Sequence, residues 1–287
     1  MMRCKPMLAY PVSDKPIDYS KPVFIQPKLD GVRCLIQCDV TKNDLVTWYK
    51  ITAYSRTGKE WKNINHILNE LKPFFEKYPN VILDGELYNH DLRDNFEKII
   101  SLVRKTKPTD EDRLEASKKT QFHCYDIIDE TKTFEERINF IAQTVPRNNC
   151  VKHVDTIQVA TESLAKVFHQ SNLEMGYEGS IVRTNDTYQC KRSHNLRKFK
   201  DFQDSEAKII DWVEGKGKRI GTIGKFVAVD ADGNEFGMPV MDKFEYLQNN
   251  FTEMQDWVGK TATFTYFERT KAGSYRHPLF KAIRDYE

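Results

Sequence analysis

Apolar residues recur along this chain with two spacings, and each predicts a different element. Runs at residues 23–27 and 32–38 are short and rich in Val, Ile, Leu and Phe, which predicts strands. They flank the tight connection Lys28-Leu29-Asp30-Gly31, so the pair predicts a hairpin whose turn is held by two rigid strands while a side chain points into a cleft. Further strands are expected at 47–54, 81–88, 122–128 and 179–183. Helical periodicity marks 63–78, 95–105, 134–144 and 161–176. The first two hundred residues therefore read as an α+β domain built on antiparallel sheets.

After Asp201 the pattern changes to short strands with glycine-rich turns, at 207–213, 222–229, 234–238, 261–267 and 280–283. About five such strands fit a small OB-type β-barrel, with a helical stretch near 242–250 to plug its end. The expected domains are 1–202 and 203–287, and the short connection at 200–203 is where any movement would hinge. No internal repeat or low-complexity segment interrupts this order.

Composition narrows the class. Hydrophobic residues are 39% and charged residues 30% of 287, too apolar for a disordered polymer and without any run that approaches the length of a bilayer span. The start carries charges and prolines instead of a signal-peptide core, so no membrane association and an intracellular site are expected. Six cysteines (Cys4, Cys34, Cys38, Cys124, Cys150, Cys190) lack CxxC spacing, which predicts reduced thiols rather than a zinc site or a disulfide framework. A net charge of +2 is well below that of an electrostatic DNA coat, so local clusters carry more weight; Lys191, Arg192, Arg197, Lys198 and Lys200 fall within ten residues. By itself such a run is most often a solvated face.

Six motifs then occur in one order. Lys28-Leu29-Asp30-Gly31-Val32-Arg33 has the form KxDGxR; Ser55-Arg56-Thr57, Leu83-Asp84-Gly85-Glu86-Leu87, Tyr125-Asp126, Glu178-Gly179-Ser180-Ile181-Val182-Arg183 and Leu196-Arg197-Lys198-Phe199-Lys200 follow it. One such motif is an ordinary polar turn or strand end; the ordered set resembles the covalent nucleotidyltransferases, and among them the ATP-dependent DNA ligases of small viral or phage type. The stretch from Ser205 to Lys218 resembles the opening of the ligase OB domain, and Arg276, Pro278 and Arg284 resemble its last motif, so the likeness covers nearly the whole chain.

The resemblance implies a chemistry that these residue types suit. A lysine with an ordinary pKa near ~10.4 is neutral in only about one molecule in a few thousand at pH 7, so attack on the ATP α-phosphate needs a perturbed site. Lys28 is then the nucleophile that carries AMP, and Lys198 and Lys200 are the cations that disfavour its charged form and neutralise phosphate. AMP would pass to the 5′-phosphate of nicked duplex DNA and be displaced by the 3′-hydroxyl, with Mg²⁺ or Mn²⁺ as Lewis acid. Glu178 is the first choice for a metal-facing carboxylate, followed by Asp30 and Glu86. The resemblance assigns Glu86 and Arg33 to the ribose, Tyr125 to stacking on adenine, Gln26 to the adenine amino edge, and Arg276 and Arg284 to the nucleotide. Tyr125 could equally be a core aromatic of a strand. Arg56 matches the arginine that grips the nick 5′-phosphate, while Lys191, Arg192, Lys216, Lys218 and Arg219 are expected on the DNA backbone.

Some features depart from the family. A small viral ligase carries a long latch hairpin where this chain has only the stretch from Gly217 to Gly224, so DNA is expected on an open surface of a monomer. The segment Phe236-Gly237-Met238-Pro239-Val240 lacks the usual Gly-x-Gly, and the terminal acidic residue of relatives could be Asp285, Glu287 or absent. With 27 residues before Lys28, the extra N-terminal domains of NAD-dependent or large cellular ligases are not expected. The alternatives are an mRNA capping guanylyltransferase, against which Glu178-Gly179 stands in place of Asp-Gly, an RNA ligase, and a catalytically inert OB-containing nucleic-acid binder.

Overall fold

The computed structural model describes residues 2–43, 45–93, 95–199, 203–266, 268–269 and 273–284. It divides into two compact units, Met1–Phe199 and Lys200–Glu287. In chain order the first unit runs β1 (Leu8–Pro11), β2 (Val23–Pro27), β3 (Val32–Lys42), β4 (Thr47–Tyr54), α1 (Asn65–Glu70), α2 (Lys72–Lys77), β5 (Ile82–Tyr88), α3 (Phe96–Val103) and α4 (Asp110–Lys119). It continues through β6 (Gln121–Ile127), α5 (Phe134–Thr144), β7 (Val151–His153), β8 (Ile157–Val159), α6 (Glu162–Glu174), β9 (Ser180–Thr184) and β10 (Arg192–Phe199).

These strands form two five-stranded sheets, ordered β1-β10-β9-β2-β8 and β4-β3-β5-β6-β7. Pairing is antiparallel except where β1 meets β10 and β6 meets β7. The expected hairpin at Lys28 is therefore corrected: β2 pairs with β8 and β9, whereas β3 pairs with β4 and β5. Two adjacent apolar runs show that both strands are buried, but not that they are partners; here each is satisfied within its own sheet. The residues 28–31 cross from one sheet to the other.

The larger core packs α1, α2 and α3 on the second sheet through Ile67, Phe75, Ile99, Leu83 and Phe122. The helix expected over 63–78 is two, because Pro73 in the first turn of α2 removes a backbone donor and restarts the chain there. Helix α4 has almost no apolar period, with Ala116 its buried residue; a Thr109–Asp112 capping box starts it. Sheet one closes on α6 around Val23, Ile25, Val159, Ala165 and Val182.

In the second unit β11 (Gln203–Glu214), β12 (Ile223–Val229), β13 (Glu235–Pro239), α7 (Phe244–Asn249), α8 (Phe251–Gln255), β14 (Thr261–Tyr266), β15 (Glu268–Arg269), β16 (Tyr275–Arg276) and β17 (Leu279–Ile283) follow one another. The five longer strands form an antiparallel sheet, β13-β12-β11-β14-β17, around Phe226, Met238 and Phe264. The thiol expectation is corrected at one place: Cys4 and Cys190 are joined by a disulfide across 186 residues, a separation that no short spacing pattern reveals. Cys34, Cys38 and Cys124 are buried free thiols.

Candidate active site

The site is built where β2 leaves its sheet. Pro27 is in register with Ser180 of β9, and the ladder continues past the strand ends: the Lys28 N–H donates to the Gly179 carbonyl at 2.9 Å and the Glu178 N–H to the Lys28 carbonyl at 3.1 Å. This reciprocal pair fixes the two backbones, and the Lys28 Nζ then donates to Glu178 Oε2 in an ion pair. Gly179 has φ 146°, and a Cβ there would collide with the Phe199 carbonyl, so glycine lets β10 close against the Glu178 segment. Gly31 does the same on the other side. Its missing Cβ would lie 2.5 Å from the Leu87 carbonyl and 2.7 Å from Glu86 Cγ, so only glycine lets the Lys28 connection settle onto β5 beside Glu86.

From the second sheet, β3 and β5 bring Arg33 opposite Glu86. The Arg33 fork is bidentate on Asp84, at 2.6 and 2.5 Å, and Tyr188 adds a 2.7 Å bond from its hydroxyl to the same carboxylate. The guanidinium also stands 5.3 Å from the centre of the Tyr125 ring. Tyr125, on β6, donates to Glu86 Oε2 at 3.2 Å. Burial lifts the Glu86 carboxyl from 4.5 to about 7, against the opposing pull of Arg33, Lys28 and the Tyr125 hydroxyl.

These groups open onto one cavity of about 300 Å³, lined by Gln26, Lys28, Arg33, Arg56, Glu86, Tyr125, Arg183, Arg192 and Lys198. Eight residues singled out from the sequence thus meet at one place; Glu178 joins them through its bond to Lys28. Lys198 lies on β10, where burial and then the nearby Lys28 and Arg192 hold its pKa below that of an ordinary lysine. Gln26 is committed at both ends of its amide, donating to the Tyr125 carbonyl at 3.2 Å and Thr156 Oγ1 at 2.8 Å and accepting from Arg183 Nε at 2.7 Å. Asp30 is half-buried in the connection and not part of the lining. Among the described residues, no three His, Cys, Asp or Glu side chains come together as a ready-made metal group.

The sequence left unassigned the group that organises the floor. Asp126, fully buried, accepts from Arg137 at 2.7 Å and from Arg183 at 2.6 Å, and Arg183 in turn holds Gln26. An arginine ending the apolar run Gly179-Ser180-Ile181-Val182 was the available signal, since buried charge must be paired. Lys191 is exposed before β10. In the second unit Lys216 and Lys218 are exposed, whereas Arg219 is tied to the carbonyls of Val240 and Asp242 at 3.2 and 3.0 Å. Arg276 lies on β16, and Arg284 pairs with Glu206 at 2.5 Å. Lys200, Asp285 and Glu287 lie outside the described residues.

The sequence model for the ATP dependent DNA ligase domain matches residues 6–200. The chain belongs to this family. DNA ligases of African swine fever virus are similar to it: one is 27% identical over 220 residues, covering 70% of this chain and 47% of that protein, and another, from strain Badajoz, is 29% identical over the same length. The chain spans about half the length of the curated relatives it matches. Among solved structures, a Lig E DNA ligase shares 22% identity at a TM-score of 0.75, covering 99% of this chain and 100% of that one. The ATP-dependent DNA ligase of bacteriophage T7 in complex with ATP shares 17% at 0.53, covering 98% of each chain. At these identities the two structures show the ligase fold and no more. Among the described residues, no helix is long and apolar enough to cross a membrane.

Proposed function

We propose that this protein is an ATP-dependent DNA ligase that seals nicks in duplex DNA by way of a lysyl-AMP intermediate on Lys28. The observation that carries the reading is the Lys28–Glu178 pair at a cavity that also holds Lys198, Arg192 and Arg56. It joins an amine, a carboxylate that can take the amine's proton, and cations that meet phosphate oxygens. In the first step Lys28 Nζ attacks the α-phosphorus of ATP, its proton passes to Glu178, and the bond to pyrophosphate breaks. In the second, a 5′-phosphate oxygen of the nick displaces the lysine, which regains a proton. In the third, the 3′-hydroxyl oxygen attacks that phosphate, AMP leaves and the hydroxyl proton goes to solvent.

Lys198 and Lys200 neutralise charge that builds on phosphate in each step. Glu86 takes the ribose hydroxyls and Tyr125 stacks on adenine, with Arg33 and Gln26 bracing them from Asp84 and Arg183. Arg56 holds the nick 5′-phosphate with its planar fork. Arg276 and Arg284, in the second unit, are assigned to the nucleotide by the likeness of the last motif. The carboxylates suit a divalent cation, because Mg²⁺ or Mn²⁺ takes oxygen ligands and needs few from the protein when water and phosphate supply the rest. Glu178, paired with Lys28 at the mouth, would hold it with Glu86 on the same cavity, whereas Asp30 stands outside the lining, and it would supply Lewis-acid neutralisation.

The second unit is in this reading an OB-type barrel, supported by its five-stranded antiparallel sheet and by the close approach of its edge strands β13 and β17. In this reading Lys191 and Arg192 in the first unit, and Lys216, Lys218 and Arg219 in the second, each contact the DNA backbone, and the protein acts as a monomer inside the cell. The test is to mix the protein with Mg²⁺ and α-labelled ATP, GTP or NAD and look for an SDS-stable adduct. Label from ATP alone is expected. Label from GTP would redirect the protein to capping chemistry, and no label from any of the three would leave a binding protein.

A further inference from the structure

Strand β10 has two faces. Leu196 and Lys198 line the nucleotide cavity, and side chains alternate along a strand, so Asn195 and Arg197 point the other way. There they line a second cavity of about 340 Å³, closed on its other sides by the segment 15–22 and by the residues that follow β9.

Arg197 is the unusual member. It is only 5% exposed, yet among the described residues no carboxylate pairs with it. Its guanidinium donates from Nε to the His194 carbonyl at 2.8 Å and from Nη1 to the Lys15 carbonyl, which leaves Nη2 without a described acceptor. Burial accordingly pulls its pKa below that of an ordinary arginine, the opposite of Arg33, which Asp84 holds up. Its hydrogen bonds go to carbonyl dipoles alone, and Asp14, whose field reaches it along with that of Tyr19, is bonded to His194 instead, so the arrangement is incomplete: a charge removed from water needs an opposite charge. The other buried arginines described in this unit, Arg137 and Arg183, meet that need with Asp126, and the half-buried Arg33 meets it with Asp84. Here the lining supplies two more cations, Lys15 and Lys21, against the carboxylates of Asp18 and Asp186. Asp18 is occupied by the N–H and hydroxyl of Ser20. The Thr184 hydroxyl, on the same wall, is buried with no hydrogen-bond partner.

We propose that this cavity is a second oxyanion site, in which a phosphate group, free or carried by a mononucleotide, is held by Arg197, Lys15 and Lys21. The small excess of positive lining charge suits a single phosphate rather than a polyphosphate chain. Because Arg197 and Lys198 are neighbours on one strand, an anion bound here would brace the strand that presents Lys198 to the nucleotide cavity.

The test is calorimetric titration of the full chain at constant ionic strength, in a Lys28→Ala/Lys198→Met background that weakens phosphate binding at the nucleotide cavity. Inorganic phosphate is one probe, and cytidine monophosphate, whose base differs from adenine, is the other. One binding event is expected for phosphate, weakened about tenfold or more by Arg197→Gln through the loss of a charge-assisted hydrogen bond. The exposed double variant Lys15→Gln/Lys21→Gln should weaken it as well, and it remains informative if Arg197→Gln fails to fold. Tighter binding of cytidine monophosphate than of phosphate would identify a nucleotide as the occupant; equal binding would identify the free anion. No binding in the background protein, or binding that both Arg197→Gln and the lysine variant leave unchanged, would overturn the proposal.

Discussion

Two sets of ion pairs sit within one cavity's reach and differ in how they are held. At the floor, Asp84 and Asp126 are 0% exposed, and each accepts two or more bonds from the guanidiniums of Arg33, Arg137 and Arg183. At the mouth, Lys28 and Glu178 share one described ion pair with 21% and 6% of their side chains exposed. The floor pairs cannot separate without leaving a charge in a low-dielectric interior. The mouth pair can, because in the proposed reading a phosphate takes up Lys28 and a divalent cation takes up Glu178. The difference shows which charges shape the pocket and which are available to react.

The first way to break this comparison is at the mouth. Lys28→Ala should abolish nucleotide transfer from ATP, by about 10⁴-fold or more, since no nucleophile remains, while thermal stability stays near wild type. It should still close a pre-adenylated nick, which a joined-strand gel would show. At the floor the outcome reverses: Asp126→Ala should cost about 3–5 kcal/mol in denaturant unfolding, because two buried guanidiniums lose their partner. Normal stability would mean that water replaces the carboxylate.

Arg56 belongs to neither set; it is exposed and lines the cavity rim. Arg56→Ala should leave Lys28-AMP formation intact and slow single-turnover transfer to nicked DNA by roughly ten- to a hundredfold. Equal losses in the two steps would move Arg56 to the nucleotide.

Glu86 stands between floor and mouth, and pH sharpens its position. Its carboxyl titrates near 7 in the folded chain against 4.5 as the ordinary value, so the native state keeps a proton that the unfolded chain loses between those limits. Its contribution to stability is therefore complete below about pH 4.5 and is lost as pH rises through about 7. Glu86→Gln should flatten the wild-type decline in melting temperature over that window; identical pH profiles would place Glu86 in water-like surroundings.

The smallest effect is expected in the second unit. Neutralising Lys216, Lys218 and Arg219 together should lower the slope of log DNA affinity against log salt by roughly 0.9 for each phosphate no longer neutralised, with adenylation unchanged. Arg219 is already tied to two carbonyls, so most of the change should come from the two lysines.

What the sequence disclosed follows the same division. That Lys28, Glu86 and Glu178 come together was legible because their approach is held by local backbone geometry, including Gly31 and Gly179, where a Cβ has no room. Which strands pair was not legible at Lys28, because a buried apolar run carries no record of its partner. Strand β10 was hidden for another reason. Both of its faces meet polar cavities, so its residues show no apolar alternation, and Arg197 read only as part of a charge run although it is buried. The Cys4–Cys190 link and the Asp126 floor join residues far apart in sequence, and only the fold brings them together.

The central claim, that the Lys28–Glu178 mouth forms and passes on AMP, is tested most directly by a chase. The protein is labelled with α-labelled ATP, freed of nucleotide, its adduct mapped by peptide mass spectrometry, and then mixed with a 5′-phosphorylated nicked duplex. The account predicts label on Lys28 that disappears as AMP and sealed strand appear together. Label on another residue, or a Lys28 adduct that nicked DNA leaves untouched, would contradict it.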